Sequence, residues 1–167
     1  MKLNFDISKT NVMQKVLIAL DYDSNSDEIA KIGYQLAKNM GAQTVLLHVL
    51  GDQNNYSALQ FDPMMGMSGY DYNVFANVVD TESYTNAGYL YLQHIKDRLD
   101  DESLKLLVKI GDASDEILST AIATQSDLIV MGTHSKKWLE KVFVGSVAES
   151  VLAHTKIPLL VIPTKKV

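Results

Sequence analysis

Asp127-Leu-Ile-Val-Met-Gly132-Thr-His-Ser135-Lys-Lys-Trp-Leu-Glu-Lys-Val-Phe-Val-Gly145-Ser146-Val-Ala-Glu149 is the stretch on which the fold turns. Its apolar run, Leu128 to Met131, stops at Gly132 and gives way to small polar residues, the pattern of a buried strand entering a loop. The far end has the pattern of a helix start. Ser146 followed three residues later by Glu149 is a capping box, in which the hydroxyl and the carboxylate would satisfy free backbone N–H groups of the first turn. The remaining first-turn N–H groups would point outward with partial positive charge, so Gly145-Ser146 is a natural seat for a phosphate. Such units recur in many folds, so the stretch specifies a βα step before it specifies a ligand.

Working outward, the same alternation repeats. Lys15-Val-Leu-Ile-Ala-Leu20 is an apolar run of strand length, broken by Asp21-Tyr-Asp-Ser24-Asn-Ser26. Ile29, Ile32, Leu36 and Met40 then recur at helical spacing, and Gly41 sits where a C-terminal glycine cap belongs. Thr44 to Val49 predicts a second strand, completing a βαβ unit of a parallel sheet. A helix is expected from about Val79 to Leu99, with Tyr84, Gly88, Tyr91, Leu92, Ile95 and Leu99 on one side. Leu104 to Ile110 predicts a third strand, after which Asp112 can cap a helix carrying Ile117, Leu118, Ala121 and Ile122 on its apolar side. The last strand falls in Ile157-Pro-Leu-Leu-Val-Ile-Pro163, where the two prolines imply a short strand at a sheet edge. These readings predict five strands and four helices in one α/β domain, a Rossmann-like open parallel sheet with helices on both faces. The domain is expected over residues 15–163, with residues 1–14 as a lead-in. Residues 51–80, rich in Gly, Met and Tyr, form a long insertion that is either an interaction loop, lid or disordered segment, or a short helix and turns packed on the sheet edge.

Composition narrows the classes. The chain of 167 residues, 47% hydrophobic and 21% charged, suits a single globular domain with a sizeable core. It has no cysteine, which removes disulfide and thiolate chemistry. Met1-Lys-Leu-Asn-Phe-Asp-Ile-Ser lacks the basic segment and apolar core of a signal peptide, so a cytoplasmic location is expected, with no membrane association. A net charge of -5 argues against non-specific nucleic-acid binding. Lys and Arg are absent between Lys38 and Lys96, whereas Lys136, Lys137 and Lys141 cluster in the opening stretch, where an anion is therefore expected.

Several separated pieces resemble one family. Val-Leu-Ile-Ala-Leu-Asp21, Leu-Leu-His-Val49 and Met131-Gly-Thr-His are similar to the first, second and fourth strands of the universal stress protein family. Gly132-x2-Ser135-x9-Gly145-Ser146 fits its nucleotide-binding signature, Gly-x2-Gly-x9-Gly-Ser/Thr, except that Ser135 replaces the second glycine. The resemblance implies a sheet order of 3-2-1-4-5, which residues alone do not give, and it places Asp21 across a crevice from Gly132. It implies an ATP site in which Ala19 and Val49 flank the adenine, with the Val49 backbone reading its edge. Asp21 would approach the ribose, and Met131 and Gly132 would line the sugar. Ser135, Gly145, Ser146 and Val147 would hold the phosphates, with Mg2+ held mainly by the phosphates themselves. It also implies a homodimer through Leu159, Leu160, Val161 and Ile162, which would cover the unpaired backbone of an edge strand. The family usually carries Asp-x-Ser after the first strand, whereas Asp23 here separates Tyr22 from Ser24.

Other chemistry is not indicated. Phosphate-loop, dinucleotide and nucleophile-turn motifs are absent, and the loop after the first strand is not the Ser-Gly-Gly-x-Asp-Ser of adenylating hydrolases. His48, His94, His134 and His154 lack metal-ligand spacing, and His48 is expected as a buried, hydrogen-bonded ring within a strand. Lys136 and Lys137 either neutralise phosphates or solvate a helix start, and Trp138 is expected to anchor its loop. Two functions follow: a dimeric adenine-nucleotide-binding stress-response regulator with at most slow ATP hydrolysis, or a nucleotide-free interaction module in which Ser135 marks a lost pocket.

Overall fold

The computed structural model describes residues 13–23, 25–51, 81–133 and 145–163. Five strands, β1 (Lys15–Leu20), β2 (Gln43–Leu50), β3 (Lys105–Ile110), β4 (Leu128–Thr133) and β5 (Leu159–Pro163), alternate with helices α1 (Ser26–Asn39), α2 (Thr81–Leu99), α3 (Ala113–Ala123) and α4 (Ser146–His154). The strands pair in parallel in the order β3-β2-β1-β4-β5. The order expected from the resemblance is therefore the one observed. From β1 the chain winds outward to β2 and β3, then returns to β4 on the other side of β1 and continues to β5. The carboxyl ends of β1 and β4 thus flank the point where the winding reverses, the place where open α/β sheets form a crevice.

Helices on both faces explain why the central strands read as unbroken apolar runs rather than alternating ones. Val16, Leu17 and Ile18 are fully buried, as are Leu46, Leu47, Ile129 and Val130. Val16, Ile18, Leu20 and Leu46 pack with Ile29, Ala30 and Ala37 of α1 and Leu92 and Ile95 of α2. Leu17, Ala19, Leu47, Ile129 and Met131 pack on the other face with Ile117 and Ala121 of α3 and Ala148 and Val151 of α4. Each fully buried aliphatic side chain contributes about 1.5–3 kcal/mol of transfer free energy. α1 lies close on the sheet through Gly33, where a Cβ would come within 2.8 Å of Ile18 Cδ1 and 3.1 Å of Val130 Cγ1. The amino ends of β1 and β4 are tied by Asp127, whose carboxylate accepts from the amides of Gln14 (2.8 Å) and Lys15 (3.0 Å).

Gly41 takes the left-handed conformation (φ +67°) after α1, and its amide donates to the Lys38 carbonyl at 3.1 Å, as a glycine cap should. Asp112 caps α3 as expected. Three expectations need correction. Ile32 and Ile122 are exposed (41% and 71%), because the buried stripes run through Ile29, Ala30, Gly33 and Ala37, and through Ile117, Thr120 and Ala121. β4 does not stop at Gly132 but continues to Thr133, since β5 supplies partners through the pairs Gly132–Ile162 and Thr133–Pro163. α4 starts at Ser146 but is capped by Gly145: the amide of Glu149 donates to the Gly145 carbonyl (2.9 Å), which makes Gly145 the N-cap and takes Ser146 and Glu149 out of capping-box register. β5 is at the sheet edge as expected, with Leu159, Leu160 and Val161 partly exposed, while Ile162 is buried in the core. Residues 1–12 of the lead-in and residues 52–80 of the insertion lie outside the described residues. Among the described residues no helix is long and apolar enough to cross a membrane.

Candidate functional site

Three of the residues singled out from the sequence meet at the carboxyl end of the central strands. Ala19 pairs with Met131 across β1 and β4, and Val49 lies two residues beyond Leu47, the partner of Ala19 on β2. Ala19, Met131 and Ala148 of α4 are buried in one cluster, with Val49 partly buried against it. This is an apolar floor at the carboxyl edge of the sheet, on the α3/α4 face. Gly132 follows Met131 on β4 and is partly exposed, and Asp21 lies one residue past the end of β1 and is exposed.

On the other side of the sheet the peptide of Asp21 is held by an unusual number of donors. Its carbonyl accepts from the Tyr91 hydroxyl of α2 (2.6 Å), from the Asp23 amide (2.9 Å) and from the Ser26 hydroxyl at the start of α1. Its carboxylate accepts from the amide of Tyr22 at 2.7 Å. One residue earlier, the Leu20 carbonyl accepts from Nδ1 of His48 at 2.8 Å, which fixes the proton on that nitrogen because a carbonyl cannot donate. His48 is 4% exposed, the buried hydrogen-bonded ring expected of it. The Tyr91 ring stacks edge-on against His48 (centroids 4.9 Å apart, 64°), and Tyr22 leans on Tyr91 at 4.9 Å. Burial pushes the Tyr91 phenol up to about 12, with a smaller opposing contribution from Ser26, so the hydroxyl remains a donor across the physiological range. Asp23 in turn accepts from the backbone and side-chain amides of Asn25, both at 2.8 Å, and Arg98 of α2 pairs with Asp27 in the first turn of α1.

The third side is the start of α4. Gly145 has φ 87° and ψ 144°, a conformation open essentially to glycine alone. It carries no side chain that could accept from the first-turn amides, and Ser146 and Val147 behind it are exposed. α4 is anchored to α3 one turn further on. The Ser150 hydroxyl donates to Ser114 Oγ (3.0 Å), and that hydroxyl donates to Asp112 (2.7 Å), whose carboxylate also takes the amides of Ser114 and Asp115. These bonds hold the Asp112 carboxyl below the usual carboxylate range, the Ser114 hydroxyl contributing most. Ser135, Lys136, Lys137, Trp138 and Lys141 lie outside the described residues. Among the described residues no group of three His, Asp or Glu could hold a metal ion.

Sequence reasoning brought forward Ala19, Asp21, Val49, Met131, Gly132, Gly145, Ser146 and Val147, and missed the set that grips Asp21. Tyr91 reads in sequence as one more core-facing residue of an amphipathic helix, and Ser26 as part of a polar break.

Residues 13–163 match the model of the universal stress protein family. A universal stress protein of Methanocaldococcus jannaschii is 29% identical over 157 residues, covering 91% of this chain and 96% of the relative. Universal stress protein A homolog 2 of Coxiella burnetii is 28% identical over 153 residues, 91% of this chain and 96% of its own. The solved structure of the M. jannaschii protein superposes with a TM-score of 0.65 at 23% identity, covering 93% of this chain and 99% of that one. A universal stress protein in complex with cAMP (TM-score 0.62, 17% identity, 92% of this chain and 99% of that one) has the same fold. So does one from Archaeoglobus fulgidus in complex with dAMP (TM-score 0.57, 14% identity, 90% of this chain and 98% of that one). With the family model spanning the whole sheet and the strand order in agreement, this chain belongs to the universal stress protein family.

Proposed function

We propose that this protein binds an adenine nucleotide, ATP with Mg2+ held mainly by the phosphates, and serves as a dimeric cytoplasmic regulator in the stress response. The observation that carries this reading is the convergence at one end of the sheet of an apolar floor, an anchored acid and a glycine-opened helix. Ala19, Val49 and Met131, packed in one cluster, offer an apolar surface suited to a purine, whose edge the Val49 backbone would read. Asp21, exposed just past β1, would supply a carboxylate for ribose hydroxyls, and Gly132, partly exposed on β4, would lie beside the sugar. Gly145 leaves the positive end of α4 unfilled by any side chain of its own, and the amides of Ser146 and Val147 can receive phosphate oxygens there. By the resemblance Ser135 belongs to the phosphate side as well, with a hydroxyl where the family has a glycine. Solved structures of two fold neighbours hold cAMP and dAMP, which supports an adenine ligand. Any hydrolysis is expected to be slow, charge being stabilised mainly by backbone N–H groups.

Thermal unfolding with and without Mg-ATP tests the assignment. Saturation at about a hundred times Kd adds roughly 2.7 kcal/mol and raises Tm; an unchanged Tm at millimolar ATP would leave a nucleotide-free interaction module. Dimerisation rests on β5, an edge strand with Leu159, Leu160 and Val161 partly exposed and backbone available to a second copy. Ile162 serves the protomer's own core. A sedimentation-equilibrium experiment that finds only monomer removes the dimer from this proposal.

A further inference from the structure

The grip on Asp21 exceeds what closing a turn requires. A carbonyl has two lone pairs, yet that of Asp21 is approached by the Tyr91 and Ser26 hydroxyls and the Asp23 amide. The donors come from three places: the loop itself, the first turn of α1, and the third turn of a helix separated by 70 residues. The preceding carbonyl, that of Leu20, is likewise taken by a side chain, His48, against which the Tyr91 ring rests. Two successive peptides at the end of β1 are therefore set by side chains from the α1/α2 side, while Asp21 itself is exposed, its carboxylate accepting from the Tyr22 amide.

We propose that Tyr91, assisted by Ser26, is a positioning residue for nucleotide binding: it fixes the Asp21 peptide so that the Asp21 carboxylate meets the ribose hydroxyls without first being ordered. The inference rests on the adenine-nucleotide assignment and adds to it a residue on the opposite face of the sheet from the purine floor. Its physical content is preorganisation. An acid on a loose loop loses side-chain and backbone freedom on engaging a ligand, whereas one on a clamped peptide has lost it during folding. A consequence follows for coupling: since the clamp donor is on α2, the position of α2 and the affinity for ribose become linked.

The test is a double-mutant cycle on the full-length protein, with Kd measured calorimetrically for ATP and for 2′-deoxy-ATP. Tyr91→Phe removes the hydroxyl and keeps the ring against His48. It is expected to weaken ATP by about fivefold, the loss corresponding to one hydrogen bond, and to shrink the preference for ATP over 2′-deoxy-ATP by a similar factor. Ser26→Ala, which leaves the aromatic packing untouched, should shift both quantities in the same direction. In an Asp21→Ala background Tyr91→Phe should change neither, because no carboxylate remains to be placed. A Tyr91→Phe protein that melts lower but binds both nucleotides as the wild type does would reduce Tyr91 to a stabilising residue and overturn the inference. So would an equal loss in the Asp21→Ala background. Absence of binding by the wild type would instead overturn the adenine-nucleotide assignment, and the positioning role with it.

Discussion

Helices α3 and α4 both begin at the carboxyl edge of the sheet, on the same face, and their first turns are treated in opposite ways. α3 is closed by its own sequence: Asp112 accepts from the amides of Ser114 and Asp115, so the positive end of the helix meets a carboxylate supplied by the chain. α4 follows Gly145, which has nothing to offer those amides, and a conformation (φ 87°) that keeps a side chain out. The two starts are joined through Ser150 and Ser114, so the open one is braced by the closed one. The positive end of α3 is already met by a carboxylate, whereas among the described residues no side chain caps α4, so of the two starts α4 is the one with more to offer an anion. The contrast can be broken from either side.

Filling the open start should have the largest effect. Gly145→Val forces a β-branched residue into a region it avoids, at about 1–3 kcal/mol of strain, and places two methyl groups where phosphates would lie. The variant should melt lower than the wild type and lose the Mg-ATP-dependent rise in Tm; a full rise in the variant would place the nucleotide elsewhere. Emptying the closed start should cost less. Asp112→Ala removes the cap of α3 and should destabilise the fold by about 1 kcal/mol in urea unfolding, leaving the ATP response in place. If Asp112→Ala abolished that response while the fold persisted, the two starts would be one site and the contrast between them would fail.

The strands and helices were legible because a sheet covered on both faces writes its central strands as apolar runs, as in Val16–Leu20 and Leu128–Met131, and the links between them are polar. The order of strands was not, since nothing local in Ile129 specifies that it lies beside Leu17 instead of Leu47; it came from the resemblance. The helix α4 starts at Ser146 as expected, but its cap was misplaced by one residue. Ser146 and Glu149 have capping-box spacing, but Gly145 can adopt a non-helical conformation that lets its carbonyl accept the first helical bond, and backbone geometry decides between two permissible caps. The apolar floor of Ala19, Val49 and Met131 came from motif positions at strand ends, through the resemblance. The clamp on Asp21 left no sequence signal, because a hydroxyl at the edge of an apolar helix stripe, as on Tyr91, has the same spacing whether it serves the core or reaches a carbonyl on another element.

Acid titration sharpens the contrast by the smallest margin. The Asp112 carboxyl is held below its ordinary range by the Ser114 hydroxyl first, and then by the amides of Asp115 and Ser114, against a modest opposing cost of burial. A carboxyl depressed in the folded state contributes stability that is fully present above its unfolded pKa, about 3.9, and is lost as pH falls through the folded value. Asp112→Asn keeps an oxygen that can accept from the same amides but removes the charge at the positive end of α3. At pH 7 the wild type should therefore exceed the variant by a few tenths of a kcal/mol, about what one charge at an exposed helix end contributes. Below about pH 4 the margin should close as the aspartate takes up its proton. Asp101, depressed chiefly by the Ser103 hydroxyl, titrates in both proteins and cancels from the difference. Urea midpoints for the pair between pH 7 and pH 3 measure it, and a margin independent of pH would mean that α3 is closed by the shape of its cap, with the charge irrelevant. The distinction from α4 would then lie in the presence of an acceptor atom and no longer in the sign of the field at the helix end.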